Sequence, residues 1–342
     1  MLLKIPDKNY HNITKTRGKY AIILYRINYG GKIMFIKSPL NYTGNKFRIL
    51  PQIMKYFPKK TDVFVDLFCG GATVGFNVNA NKIIMIDNNP RVINLLKFLA
   101  KEDIKKIIVQ IENTIEKYGL SYSYKYTYKK YREEGYAAGN NGLKYYNYNG
   151  FYKLREDYNK LSNKNSNKAN ILLYVLMVYA FNNDIRFNNK GEFNLPVGKT
   201  DFNKNNYTKL VEYNKRAGKI NYEFICADFK SAKVKEILKS ASFVYCDPPY
   251  LITTAVYNEN DGWNSKDEDM LLSLLKQLSD MKVPFALSNV LKTKLKTNTQ
   301  LNDWIVSNNY EVHKINYHYK SSSYNKKNRD REEQEILVTG GE

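Results

Sequence analysis

A carboxylate, two prolines and an aromatic ring stand in succession at Asp247-Pro248-Pro249-Tyr250, directly after the apolar run Phe243-Val244-Tyr245-Cys246. The run has the length of a buried strand in a parallel sheet. The prolines end it, because they fix φ and donate no amide hydrogen. An acid, rigid carbonyls and a ring are thereby held at a strand's carboxyl end, where open α/β sheets place their chemistry. Asp247 and the Pro248 carbonyl only accept hydrogen bonds, so together they suit the two hydrogens of a planar amine, with Tyr250 stacked on the ring that bears it. Such an amine is a poor nucleophile, because its lone pair is delocalised into the ring. Holding both hydrogens draws the nitrogen towards a tetrahedral shape and aims the lone pair at an electrophile. An isolated Asp-Pro-Pro is as readily a surface turn. The chemical reading therefore depends on whether the rest of the chain builds a site for a methyl donor.

Four further stretches are candidates for that site. Residues 63–67 read as a buried strand running into Phe68-Cys69-Gly70-Gly71-Ala72-Thr73-Val74-Gly75, a glycine-rich turn expected to open a helix. Residues 82–86 form the next strand and end at Asp87, with Asn88-Asn89-Pro90 starting a helix over 91–101. An acid closing the second strand of such a unit is placed to bond a ribose, although Asp before a helix also serves as a cap. The turn lacks the three-glycine dinucleotide fingerprint, which disfavours NAD. Ser38-Pro39-Leu40-Asn41-Tyr42-Thr43-Gly44-Asn45-Lys46 is a loop with one lysine, leading into an amphipathic helix over 48–56. Taken alone, that lysine is ordinarily solvated. Residues 221–227 form a strand ending at Asp228.

Around these lie the remaining elements. Residues 20–27 and 32–36 read as a β-hairpin, with Met34 inside its second strand as a conceivable alternative start. Helices are expected over 102–117, 169–181, 266–281 and 301–308, and strands over 284–287, 312–319 and 335–339. Residues 118–158 carry twelve tyrosines among Lys, Asn and Gly, a composition that suits contact with phosphates and bases, as well as codon bias. Residues 183–199 form a turn-rich loop with two exposed-looking aromatics, Phe187 and Phe193. A polar loop over 251–261 is placed to close over the pocket, and residues 320–331 are a very basic, flexible segment. The chain thus divides into an N-terminal extension over 1–35, a catalytic domain over 36–118 and 221–342, and an inserted domain over 119–220.

Composition narrows the class. The 342 residues suit one large domain or two unequal ones, and 54 basic against 33 acidic residues give a net +21. That balance favours a polyanionic partner, although Lys, Asn, Ile and Tyr are also residues of AT-rich codons. Cys69, Cys226 and Cys246 are an odd, scattered set, which suits a reduced cytoplasm. His11, His313 and His318 show no ligand spacing with them, so no structural zinc is expected. No apolar run approaches the roughly 20 residues of a membrane helix, and no membrane partner is expected.

In order along the chain, the Tyr42-Thr43-Gly44-Asn45-Lys46 loop, the Phe68-x-Gly70 turn, Asp87, the insert and Asp247-Pro248-Pro249-Tyr250 resemble the Dam-like, D12 class DNA adenine-N6 methyltransferases. Arg186-Phe187-Asn188 followed by Gly191-Glu192-Phe193-Asn194-Leu195-Pro196-x-Gly198 resembles that family's DNA-contacting loop. The resemblance covers about residues 36–340. It implies a Rossmann-like, class I S-adenosylmethionine-dependent α/β domain with an inserted, mainly helical target-recognition domain. It further implies methyl transfer to the 6-amino group of a flipped adenine in double-stranded DNA, without a metal. By the resemblance Tyr42, Lys46 and Asp66 face the donor, the Phe68 and Gly70 turn its methionine part, Asp87 its ribose and Asp228 its adenine. Asp247, Pro248, Pro249 and Tyr250 carry catalysis, with Asp247 also bordering the donor. Arg186, Phe187, Asn188, Lys190 and Lys199 match DNA-contacting positions, with Phe187 as a wedge. The loop resembles that of GATC methylases, but sister enzymes with other sites share it. A prokaryotic or phage origin and a companion restriction endonuclease fit the same family. Tyr42 stands where Trp is frequent, Ala72 where a second glycine is frequent, and residues before 36 have no counterpart. Relatives that methylate RNA or protein glutamine usually carry Asn at the Asp247 position and lack the DNA loop. A DNA-binding module without catalysis has no use for a donor pocket, and a nucleotide-dependent oxidoreductase lacks its fingerprint.

Overall fold

The computed structural model describes residues 26–27, 33–42, 44–137, 139–253, 262–316 and 334–341. The chain divides into a unit over residues 1–35 and a unit over 36–342. In the first, β1 (Arg26–Ile27) pairs antiparallel with β2 (Ile33–Met34), so the hairpin expected there is described only at this pair, with Met34 on its second strand. Phe35 and Ile36, expected in the second strand, are not part of it, and residues 20–25 and 28–32 lie outside the described residues.

The second unit is built on one seven-stranded sheet. Its strands are β3 (Thr61–Leu67), β4 (Ala80–Asp87), β5 (Tyr222–Cys226), β6 (Phe243–Cys246), β7 (Phe285–Lys292), β8 (Glu311–Lys314) and β9 (Gln334–Gly340). They lie in the order β5-β4-β3-β6-β7-β9-β8. β5 through β7 are parallel, and β9 is antiparallel to both β7 and β8. Chain order reverses direction across the sheet at β3 and β6, the switch point where α/β sheets bind ligands beyond their carboxyl ends. The central strands are apolar on both faces because both are covered. On one face Val65, Leu67, Val244, Cys246, Phe285 and Leu287 meet leucines from the helices over 265–280 and 299–308. Phe57 contacts Phe64, Phe243 and Tyr245. This is the Rossmann-like α/β architecture.

Side chains cap several of the helix starts. Short turns flank α1 (Leu50–Ile53), so the helix expected over 48–56 is a broken one, with 3₁₀ turns at Lys46–Arg48 and Met54–Tyr56. Asn89 caps α2 (Pro90–Lys101) and Asp103 caps α3 (Ile104–Lys117), which is why α3 starts inside the expected span. The tyrosine-rich stretch forms α4 (Ser123–Glu133), kinked at Thr127, and α5 (Lys144–Lys160). α6 (Asn167–Tyr179) is buried from Ala169 onward and lies against α2, α3 and α5. α7 (Lys204–Ala217) lies against α2. α8 (Ala232–Lys239), α9 (Ser265–Asp280) and α10 (Thr299–Asn308) complete the set.

Three expectations need correction. No α-helix follows the glycine turn; a single 3₁₀ turn, Gly75–Asn77, does. The Asn77 amide donates to the carbonyls of Thr73 (2.7 Å) and Ile36 (2.8 Å), and Val78 is already extended, so the turn is stopped there. β7 does not end at Ser288-Asn289. Tyr245 bonds Ser288 at 2.8 Å and Asn289 donates to Glu268 at 3.0 Å, so both polar side chains are satisfied inside the sheet. β8 ends at Lys314; residues 317–319, like the loop over 254–261 and the basic segment over 320–331, lie outside the described residues.

Candidate active site

Asp66, Asp87 and Asp247 stand at the carboxyl ends of neighbouring strands, and the glycine turn runs between them. The turn's path requires left-handed backbone at Phe68 (φ 66°), Gly70 (φ 48°) and Ala72 (φ 58°). Only the middle one is a glycine, so Phe68 and Ala72 hold strain that their surroundings must support. Carboxylates supply that support. The Gly70 amide donates to Asp87 Oδ2 at 2.9 Å, and the Gly75 amide to Asp66 Oδ2 at 2.8 Å. The Tyr42 ring lies against the turn so closely that a Cβ on Gly70 would fall 2.8 Å from it. Ala72 thus keeps the turn without a second glycine there, by adopting the left-handed conformation itself.

These acids differ in environment. Burial pushes the Asp66 carboxyl up to about 8, opposed by its bond from Gly75 and assisted by Asp247 and Asp87. Burial thus favours the neutral form of Asp66, which sits beneath the turn, 2% exposed. Burial also raises Asp87, against amide donors from Asn89, Gly70 and Asn88.

The amine motif is tied to the lysine loop. Lys46, 4% exposed, places Nζ 2.8 Å from Asp247 Oδ2 and donates to the Gly44 carbonyl at 2.9 Å. Tyr250 donates its hydroxyl to Asp247 Oδ1 at 3.0 Å, and Lys46 Nζ lies 5.2 Å from the centre of its ring. Burial raises the Asp247 pKa, while Lys46 and the Tyr250 hydroxyl pull it back down. A fourth member is Glu335 on β9, whose Oε1 lies 4.0 Å from Lys46 Nζ and 3.4 Å from the Tyr250 hydroxyl. Its only trace in the sequence is an acid inside an otherwise apolar strand, Gln334-Glu335-Ile336-Leu337-Val338.

Asp228 is more open than the other acids. It accepts the Lys230 amide at 2.8 Å, and Lys230 reaches Asp267 at 2.8 Å. Beside it Phe229, Phe68 and Trp263 form an aromatic cluster with centroids 5.3–5.6 Å apart. Trp263 donates to the buried Glu268 at 2.7 Å, which fixes its ring.

The loop after α6 is a hairpin-like turn clamped by α5. Phe187 bridges Phe193, and the Asn159 side chain bonds both the amide (2.8 Å) and the carbonyl (3.1 Å) of Phe193. Phe193 is consequently 1% exposed, a correction to its exposed-looking place in the sequence. Phe187 is half-buried under the Arg91 guanidinium, 4.8 Å from its ring centre. Arg186 bonds Asn194 at 2.9 Å, and the Asn188 carboxamide accepts the Lys190 and Glu192 amides, each at 3.0 Å. Arg186, Lys190 and Lys199 are exposed, and the Lys199 carbonyl anchors Leu143 at 2.9 Å.

Residues 42–323 match the model of the D12 class N6 adenine-specific DNA methyltransferase family. The chain belongs to that family. It is 40% identical to Type II methyltransferase M.FokI of Planomicrobium okeanokoites over 96% of this chain and 46% of that protein. It is 33% identical to Modification methylase StsI of Streptococcus sanguinis over 99% of this chain and 51% of that one. A DNA adenine methylase of Haemophilus influenzae is 29% identical over 62% of this chain and 63% of its own length. The chain thus spans about half the length of the first two relatives. In this D12 class chain, Tyr42, Lys46, Asp66, Phe68, Gly70, Asp87, Asp247 and Tyr250 are gathered around the glycine turn, whereas the loop bearing Arg186 to Lys190 is held on α5 and α2.

Proposed function

We propose that this chain moves a methyl group from S-adenosylmethionine to the 6-amino group of an adenine turned out of duplex DNA. The observation that carries the reading is the 2.8 Å pair between Lys46 of the loop and Asp247 at the end of β6, beside the glycine turn. It joins the residues suited to a donor with those suited to an amine. A turn with no side chain at Gly70, covered by the Tyr42 ring and backed by Asp87, fits a nucleoside-bearing ligand. Tyr42, Lys46, the Phe68 and Gly70 turn, Asp87 and Asp228 would hold the donor, with Asp247 at its border; Asp66, expected to face the donor, instead supports the turn from below, 2% exposed and bonded to the Gly75 amide. When bound, the donor supplies an electrophilic methyl on a sulfonium, so no metal is required.

Asp247 and the Pro248 carbonyl accept the amine's two hydrogens and aim its lone pair, with Pro249 keeping the path rigid. Burial raises the Asp247 pKa, which suits an oxygen that holds the amine's proton as the new N–C bond forms. Tyr250 offers a π face for the extruded base. Arg186, Phe187, Asn188, Lys190 and Lys199 contact DNA from the helical insert over 119–220, which acts as the target-recognition domain. The net charge of +21 favours the same partner. Relatives named modification methylases support a place beside a cognate restriction endonuclease, in the cytoplasm of a prokaryote or its phage, and the loop's resemblance suggests a GATC-type target. No helix among the described residues is long and apolar enough to cross a membrane. Expression in a methylase-free host, followed by sequencing that detects methyladenine, tests the activity and reads the site. Unmodified DNA in cells holding folded protein refutes the activity, and modification at other sequences refutes GATC alone.

A further inference from the structure

We infer that Glu335 is a positioning residue of this site: a second carboxylate that receives Lys46 and Tyr250 when the target amine claims Asp247. The inference rests on the proposed methyl transfer. Both oxygens of Asp247 already have donors, Lys46 at 2.8 Å and the Tyr250 hydroxyl at 3.0 Å. An incoming amine adds one more donor to the same carboxylate; lone pairs remain to accept it, but Lys46 and the hydroxyl then compete with it for the carboxylate's charge and for room at the same oxygens. Lys46 is 4% exposed, and a buried ammonium cannot simply be left without a countercharge. Glu335 is the second carboxylate in ion-pairing range of Lys46 among the described residues, at 4.0 Å, and it lies 3.4 Å from the Tyr250 hydroxyl. Each donor therefore stands between two acids, currently nearer Asp247.

The geometry also says which parts move. Glu335 opposes Val290 in the β7–β9 ladder, and its carbonyl accepts the Ile315 amide at 3.0 Å, so its backbone is held on both sides. Lys46 ends a long flexible stem and Tyr250 lies just past the strand, so the donors shift while the acceptor stays. With Lys46 and the hydroxyl drawn to Glu335, Asp247 is released for the amine and its charge is no longer shared.

Glu335→Gln keeps the shape and removes the charge. Its kcat for methyl transfer should fall on the order of 10-fold or more, with KM for DNA and calorimetric binding of S-adenosylhomocysteine unchanged. Glu335→Asp, which keeps the charge, should recover part of the rate. Parental kcat in Glu335→Gln overturns the inference, as does a loss of kcat matched by loss of S-adenosylhomocysteine affinity. A second readout needs no turnover. Asp247→Ala removes the nearer partner of Lys46, so adding Glu335→Gln should lower the melting temperature more on that background than on the parent. Equal decrements overturn the shared-partner geometry. If the parent methylates no DNA, the activity reading fails by itself, and this melting cycle still decides the role of Glu335.

Discussion

Replacing Asp66 by Asn separates support of the glycine turn from the chemistry above it. Asp66 is 2% exposed and accepts the Gly75 amide at 2.8 Å. Burial lifts its pKa from 3.8 to about 8 in the folded protein. In the unfolded chain the carboxyl ionises near its ordinary value of about 3.9. The folded state therefore binds one more proton across that window, and its contribution to stability is complete below the unfolded pKa. As pH rises, the contribution is lost at about 1.4 kcal/mol per unit until the folded pKa is passed. Asn cannot ionise, yet its carbonyl oxygen can still accept from Gly75. The stability of Asp66→Asn relative to the parent should thus climb with pH, by on the order of 5 kcal/mol over the whole window. Urea unfolding of both proteins, followed by circular dichroism from about pH 5 to pH 8, measures the difference while other groups cancel. A difference that stays constant with pH would mean that Asp66 titrates as an ordinary surface acid, and the account of the turn would fail.

Gly70→Ala should weaken S-adenosylhomocysteine binding, because φ is 48° there and the added carbon would lie 2.8 Å from the Tyr42 ring. The left-handed conformation alone costs about 1–2 kcal/mol, so calorimetry in a Tyr42→Ala background should show only partial relief. Tyr250→Phe keeps the π face and should retain much of the methylation rate, whereas Tyr250→Ala should lose most of it; a 2-aminopurine target, whose fluorescence rises on unstacking, reports whether the base still leaves the helix. Lys199→Ala should weaken binding to all DNA sequences alike and reduce the slope of log K against log salt by about one, and a specificity change at an intact slope would contradict a phosphate contact.

The features legible in the sequence were local ones. Asp247-Pro248-Pro249-Tyr250 and the Phe68 to Gly75 turn announce themselves by residue type at fixed spacing, and the strand-turn-strand-acid order orients Asp87. Lys46 was readable only with the resemblance, since its ion pair with Asp247 joins distant parts of the chain. Glu335 was not readable, because only the pairing of β9 with β7 brings this strand acid to the site. The helix expected after the turn does not form, because the Asn77 side-chain amide bonds the local Thr73 carbonyl and also that of Ile36, a long-range contact that local propensity does not see. Phe193 looked exposed in a polar loop, but Asn159 of α5 holds its backbone and buries its ring. In each miss a long-range hydrogen bond or strand register overrode the local pattern.

On the proposed function, Asp247 organises the amine of a DNA adenine for methyl transfer. The direct measurement incubates the full chain and its Asp247→Ala variant with isotopically labelled S-adenosylmethionine and duplex DNA, then digests the DNA and identifies methylated nucleosides by mass spectrometry. Labelled N6-methyladenine is expected with the parent, and a rate lower by on the order of 10²-fold or more with Asp247→Ala at preserved DNA binding. Label on another nucleoside, or a variant as fast as the parent, would contradict the proposal.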